Sequence, residues 1–491
     1  MQMNSRLHRR TASWLKTAVP ALLVALPAVA EEKLSLEQCL HIAHGRNLQR
    51  LSDLQDLERS RAQLLGARSP FELQADANLQ IPSFRETRDT QENVALLRRV
   101  RAEDTDFQYG GQLTVTQRVP NLGQFSLTSN AARRDFSSNR RADFLDFSGD
   151  VRLGYRHEIF TTAQEEFALE RARLNLDGAG YNYGRQLLNL EQRVVGAYYD
   201  LVRSIRQLEI EQQSLEQSEA SLELAKRKFE VGLIAEVEAL RWQVALLRAR
   251  ADFDQAETEI ERRRDLLRDV LGMEMDEPLE VVSEVESRRF AIDAARALEL
   301  GLERRTDLRQ AEIQEEIRQL SLQERKRNSG PVATLNASVG VRGRGSEVGD
   351  ISSNLERNLW SVGIDVTMPV LDGGSRRSSV NEAQVDLEKS RIATSLRKRE
   401  IVREIRNTVR NLAQAERQID LRRAALEFAE RTYEVEQSRF ELGLIQSQDL
   451  LDTQGELTQA RIDELDSVVN YRRQLVDLKV ASMAELSELA P

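Results

Sequence analysis

A single cysteine, four histidines and an aromatic content of 5% are all that the 491 residues of this chain contain of those residue types. The lone thiol, Cys39, excludes a disulfide within the chain. His41 and His44 sit three residues apart with no third ligand nearby, which argues against a metal centre, and His157 has no serine or cysteine partner suggested by a motif. With no aromatic stacking platform and no basic stripe, nucleic acid is a poor partner. Past residue 30 no apolar run reaches the roughly 20 residues that a membrane helix needs, so any membrane passage has to be made by strands. Gly343-Arg344-Gly345 lacks the strand-then-helix setting of a dinucleotide site. The carboxylates are too numerous and too evenly spread to single out a catalytic pair. No enzyme and no cofactor emerge.

What is present is charge. Asp, Glu, Lys and Arg make up 31% of the chain, with a formal net charge of −10. Arg6, Arg9, Arg10 and Lys16 precede an apolar run from Ala18 and an Ala28-Val29-Ala30 cleavage pattern, so residues 1–30 read as a signal peptide with the mature chain starting at Glu31. Removing those four cations takes the charge from −10 to −14. An acidic, aromatic-poor chain of this kind suits long helices with charged outer faces.

Apolar residues recur every seven positions in two ladders. Val194, Leu201, Leu208, Leu215, Leu222 and Phe229 form the first; Ile405, Leu412, Ile419, Leu426, Tyr433 and Phe440 form the second, 211 residues later. Each ladder ends in a related tip, Phe229-Glu230-Val231-Gly232-Leu233-Ile234 and Phe440-Glu441-Leu442-Gly443-Leu444-Ile445. Sustained heptads predict coiled coils, matched ladders predict an internal duplication, and the glycines predict chain reversals. Residues 31–290 form one repeat and 291–491 the other. Long helices are expected over Thr161–Phe229 and Ser375–Phe440, each roughly 100 Å long at about 1.5 Å per residue, with return helices from about Ala235 to Leu271 and from Gln446 to about Leu486.

A first helix, capped by Ser35 and Gln38, is expected to run from Leu34 to about Leu65; Asp293 caps its counterpart. Between these helices and the long ones the period switches to two. Phe71 to Ile81 alternates apolar with polar, as do 333–341 and 360–368, the pattern of a barrel strand with lipid outside and water inside. Matching Leu48 to Leu308 leaves the first repeat 49 residues longer. Partial alternation over 109–119, 125–131 and 147–159, with a turn at Pro120-Asn121-Leu122-Gly123, assigns that excess to an added hairpin, giving four strands in the first repeat and two in the second; an ordered external loop is the alternative. The fold class is mainly α with membrane β, internally duplicated.

This order of elements, Pro369-Val370-Leu371-Asp372-Gly373-Gly374 after the last strand, and the two Phe-Glu-x-Gly-Leu tips together resemble the TolC family of outer-membrane efflux and secretion channels over essentially the whole mature chain. The resemblance implies a homotrimer whose strands close one β-barrel in the outer membrane of a Gram-negative bacterium and whose helices form a tunnel across the periplasm. It implies contact of the tips, Gly232-Leu233 and Gly443-Leu444, with a periplasmic adaptor (membrane fusion) protein and, through it, an inner-membrane transporter. Asp449 and Asp452 match acidic residues that ring the periplasmic entrance. Phe440, Ile445 and Val237 stand where a tyrosine, an arginine and a threonine are expected, while Glu238 keeps an acid. Tip closure would then rest on packing of Phe229, Phe440 and Ile445 rather than on a polar latch. An exit duct for a tripartite efflux system, a duct for type I protein secretion and a periplasmic coiled-coil scaffold are the three readings; the cargo is not encoded in any pattern.

Overall fold

The computed structural model describes residues 33–93, 98–139, 142–159, 164–284, 289–368 and 370–490. The signal peptide and its cleavage point lie outside them. In chain order the elements are α1 (Leu36–Arg46), α2 (Leu48–Arg68), β1 (Gln74–Asn93), β2 (Arg98–Val119), β3 (Gly123–Ser138), β4 (Phe144–Ile159), α3 (Gln164–Glu230), α4 (Glu236–Leu271), α5 (Ala294–Arg304), α6 (Thr306–Asn328), β5 (Val332–Gly345), α7 (Asp350–Ser353), β6 (Leu355–Thr367), α8 (Ser375–Glu441) and α9 (Ser447–Ser482).

The heptads produce the expected helices. α3 and α8 have 67 residues each, α4 and α9 36 each. The same 211 residues separate Gln164 from Ser375, Glu230 from Glu441, Glu236 from Ser447 and Leu271 from Ser482. Ladder residues Val194, Leu201, Leu222, Ile405, Leu412, Ile419, Tyr433 and Phe440 are buried, which is why the seven-residue period was selected. α3 runs unbroken through Gly178, Gly180 and Gly184. α9 stops at Ser482, short of the expected end, where Met483 turns left-handed at φ 50°.

The first helix of each repeat differs from expectation: it is two helices, broken at Asn47 and again at Arg305. Asn47 adopts extended geometry because its side chain has better partners than the helix offers. It accepts from Arg50 N at 2.9 Å and donates to Val270 O at 2.8 Å. Helix starts in the two repeats are 258 residues apart and the ends of α2 and α6 are 260 apart, because α6 has 23 residues to the 21 of α2. The capping box at Ser35 and Gln38 and the Asp293 cap are both formed.

The strands build one antiparallel sheet in the order β1-β2-β3-β4-β5-β6, four from the first repeat and two from the second. Its faces separate by chemistry. Register aligns Ala75, Val115, Leu127, Leu153, Val339 and Trp360 across one face, and Gln74, Thr116, Ser126, Gly154, Ser338 and Ser361 across the other. That is the lipid-out, water-in alternation of a membrane barrel, here in an open sheet. β1 starts at Gln74 rather than Phe71, and β1 and β2 run well past the apolar band into charged sequence. Gly343 and Gly345 prove to be spacers. A Cβ on either would strike α7, Gly343 against the Ile351 backbone and Gly345 against Asp350.

A charged cluster pins the upper helices of the second repeat. Arg305, 8% exposed, donates to Asp307 (2.6–3.2 Å), Glu404 (2.9 and 3.0 Å) and Ala481 O (3.1 Å), and Arg397 also pairs with Asp307. Burial alone would push the Asp307 carboxyl up, but hydrogen bonds and charge from Arg305 and Arg397 hold it down at about 2. Because this lies below the ordinary 3.8, the stabilisation is present above that value and is lost as pH falls through about 2. Arg305→Met, which leaves Asp307 buried beside a missing partner, is expected to cost about 3–5 kcal/mol. A lowered helical melting temperature in detergent checks this, and pairing the change with Asp307→Leu is expected to recover most of the loss.

Candidate functional site at the hairpin tips

Each long helix ends in the same turn. Gly232 and Gly443 take φ of 71° and 76°, the left-handed region that an L side chain resists. Gly232 N donates to Phe229 O at 2.9 Å and Leu233 N to Lys228 O at 2.8 Å; in the second repeat Gly443 N donates to Phe440 O at 2.9 Å and Leu444 N to Arg439 O at 2.9 Å. This double closure satisfies the last helical carbonyls and throws the next residue outward. Leu233 is 72% and Leu444 65% exposed, so each tip presents an apolar knob.

Behind the knobs the two tips are not equivalent. Phe440 is buried against Trp242, ring centroids 5.9 Å apart, in a cluster with Leu222, Tyr433, Leu450 and Leu457 that Ile445 flanks. Phe229, at the matching position of the first repeat, stays 42% exposed. The expected tip packing therefore brings together Phe440 and Ile445 but leaves Phe229 outside. Glu238 lines a cleft between the two tips with Phe440 and Ile445, and pairs with Arg241 at 3.2 Å.

Lys228 joins the tips, and no sequence pattern singled it out. Only 6% exposed, its Nζ lies 4.7 Å from the centre of the Phe440 ring and donates to Phe440 O and, at 3.0 Å, to Glu441 O. Those carbonyls end α8, where helical dipoles and unpaired acceptors favour a cation. Burial pushes the Lys228 amine below its ordinary value and Glu441 partly offsets that. Arg439 holds the same repeat position and pairs instead with Glu436 on its own helix, 2.7 Å away. A polar tie between hairpins thus exists, made by a lysine and main-chain oxygens.

Asp449 and Asp452 are both exposed on the first turns of α9. Asp449 Oδ2 accepts from Gln446 N at 3.2 Å, closing a capping box, and Asp452 accepts from Gln448 Nε2 at 2.7 Å. Asp449 therefore has a structural duty besides its charge. Glu238 occupies the corresponding place after the first tip, 211 residues earlier.

Comparison with known proteins fits this geometry. A sequence model of the family "outer membrane efflux protein" matches residues 88–273 and 285–482, one segment in each repeat. The chain belongs to the outer membrane efflux protein family. Nodulation protein T of Rhizobium leguminosarum bv. trifolii is 22% identical over 380 residues, covering 77% of this chain and 76% of the relative. Outer membrane protein TolC of Vibrio cholerae is likewise 22% identical over 380 residues, covering 74% and 84%. The CmeC outer membrane channel of Campylobacter jejuni superimposes with a TM-score of 0.69 at 15% identity, covering 98% of this chain and 96% of that one. The protein is thus an outer-membrane channel protein whose helices reach into the periplasm, and its family is not one of enzymes.

Lys228→Met keeps the alkyl stem and removes every donor. Amide hydrogen exchange is expected to quicken at 228–233 and 439–445 in this variant while the upper helices are unchanged; equal protection at the tips would show that apolar packing alone holds them.

Proposed function

We propose that three copies of this chain close into one exit duct, the outer-membrane part of a tripartite efflux system, which conducts its cargo passively. The observation that carries this reading is a pair of half-exposed apolar seams, one on each helical hairpin. α3 packs against α4 and α9, α9 packs against α8, and α4 also touches α9, with Trp242 of α4 against Phe440 of α8 at the tip, so the two hairpins lie side by side. On α4, Val237, Leu240, Val244 and Leu247 recur at intervals of three and four and are 49–63% exposed; on α8 and its C-cap, Leu421, Phe428, Val435 and Leu442 recur every seven and are 53–75% exposed. Val237, Leu240 and Val244 line a groove whose other wall is α9 of the same chain, with Leu451 and Gly455, so both stripes are coiled-coil faces only half covered within one copy. Each fits the other on the next copy, a head-to-tail contact that forms a ring when the rotation closes.

In that ring Asp449 and Asp452 are repeated by symmetry and form a negative collar at the tunnel mouth, favouring cations over anions. The Leu233 and Leu444 knobs face the periplasm at the end of the duct, where a periplasmic adaptor protein can cover them and link the duct to an inner-membrane transporter. Energy for transport comes from that transporter, since the duct needs no chemistry of its own.

Single-channel recording in a planar bilayer tests the collar. Asp449→Asn with Asp452→Asn keeps hydrogen-bonding capacity and removes charge. The natural channel is expected to select cations, and the double variant to lose most of that selectivity; equal selectivity in both would place the filter elsewhere.

A further inference from the structure

We propose that all six strands of each chain stand in the membrane wall, so that the barrel has eighteen strands and the seam between neighbouring copies is made by β1 of one and β6 of the next. This rests on the three-copy ring proposed above and adds what that ring leaves open, the place of the 49 extra residues of the first repeat.

Three observations carry it. First, the faces: β1 and β2 continue the chemistry of the other four strands, with Ala77 opposite Leu113 and Leu79 opposite Gly111 on the apolar face, and Asn78 opposite Gln112 and Asp76 opposite Thr114 on the polar one. A hairpin standing in water would expose Leu79 and Leu113, and one lying against the outside of the barrel would turn Asn78 and Gln112 to lipid. Only a place in the wall satisfies both faces. Second, the ladder: β2 pairs with β3 from Asp104 to Val119, so the outer edge of β3 is already taken and the edge left to meet the next copy is that of β1. Third, the lengths: β5 and β6 have 14 and 13 residues, while β1 and β2 have 20 and 22. Register in β1 slips between Gln80 and Ser83, around Pro82, which has no N–H to give. The stretch of β1 below Pro82 is left with its free edge facing the next copy, and the charged remainder of the hairpin rises above the wall. Six strands in each of three copies make eighteen. Barrel width grows roughly in proportion to strand number, so this wall is about half as wide again as one built from four strands per copy.

Disulfide trapping between copies decides the seam. In a Cys39→Ala background, which copies the alanine found at the matching Ala297, Ala77→Cys is combined in turn with Val362→Cys, Ile364→Cys and Val366→Cys, all on the apolar face. Oxidation of the trimer is expected to yield covalent dimers and trimers for at least one combination after denaturation. Ser129→Cys on β3, tested against the same three positions, is expected to yield none. Links from Ser129, or no links from Ala77 in protein that migrates as a trimer before denaturation, would overturn the eighteen-strand wall and leave the ring. Protein that is monomeric in mild detergent before oxidation would remove the ring itself, and the wall with it.

Discussion

In the hydrocarbon of a membrane, a peptide N–H or C=O without a partner costs several kcal/mol, and this chain presents two rows of them, along β1 and along β6. Among the described residues no strand covers either row. The helical part repeats the problem in another form: α4 and α8 carry apolar seams that one copy covers only by half. In each case one of the two surfaces belongs to the first repeat and the other to the second. A single rotation that sets one copy's second repeat against the next copy's first repeat therefore removes both.

Duplication supplies the frame, and departures from it mark where function is placed. The four long helices share their ends to the residue, yet equivalent positions have taken different tasks. Asn47 breaks its helix with an amide, whereas Arg305 breaks the equivalent helix with a buried charge held by Asp307, Glu404 and Ala481 O. Lys228 crosses to the other hairpin, whereas Arg439 stays on its own. Phe440 is enclosed where Phe229 is half open. The second tip is thereby clasped by the first, and not the reverse. A tie made to main-chain carbonyls needs no particular residue on α8 and so leaves the sequence of that helix free to vary.

Much of this was legible beforehand because it is periodic. Heptads fixed the four long helices, the glycines fixed the tips, and alternation located the strands wherever one face meets lipid. Alternation fails for the upper parts of β1 and β2, where both faces meet water and the sequence turns charged; those strands came out too short. The helix breaks at Asn47 and Arg305 were hidden because their causes, Val270 O and Glu404, lie more than 90 residues away in the chain. Lys228 was hidden for the same reason, being one cation among many on a charged helix until the fold sets it beneath Phe440. At Asp449 the family resemblance drew attention to the charge, while the capping bond to Gln446 gives that residue a second role.

The most direct test is an image of the assembled particle by electron cryomicroscopy in a lipid nanodisc. The account predicts three copies around one axis, with Leu421, Phe428 and Val435 of each buried on Val237, Leu240 and Val244 of the next. A particle in which those two seams face solvent, or in which copies associate through any other face, would contradict it.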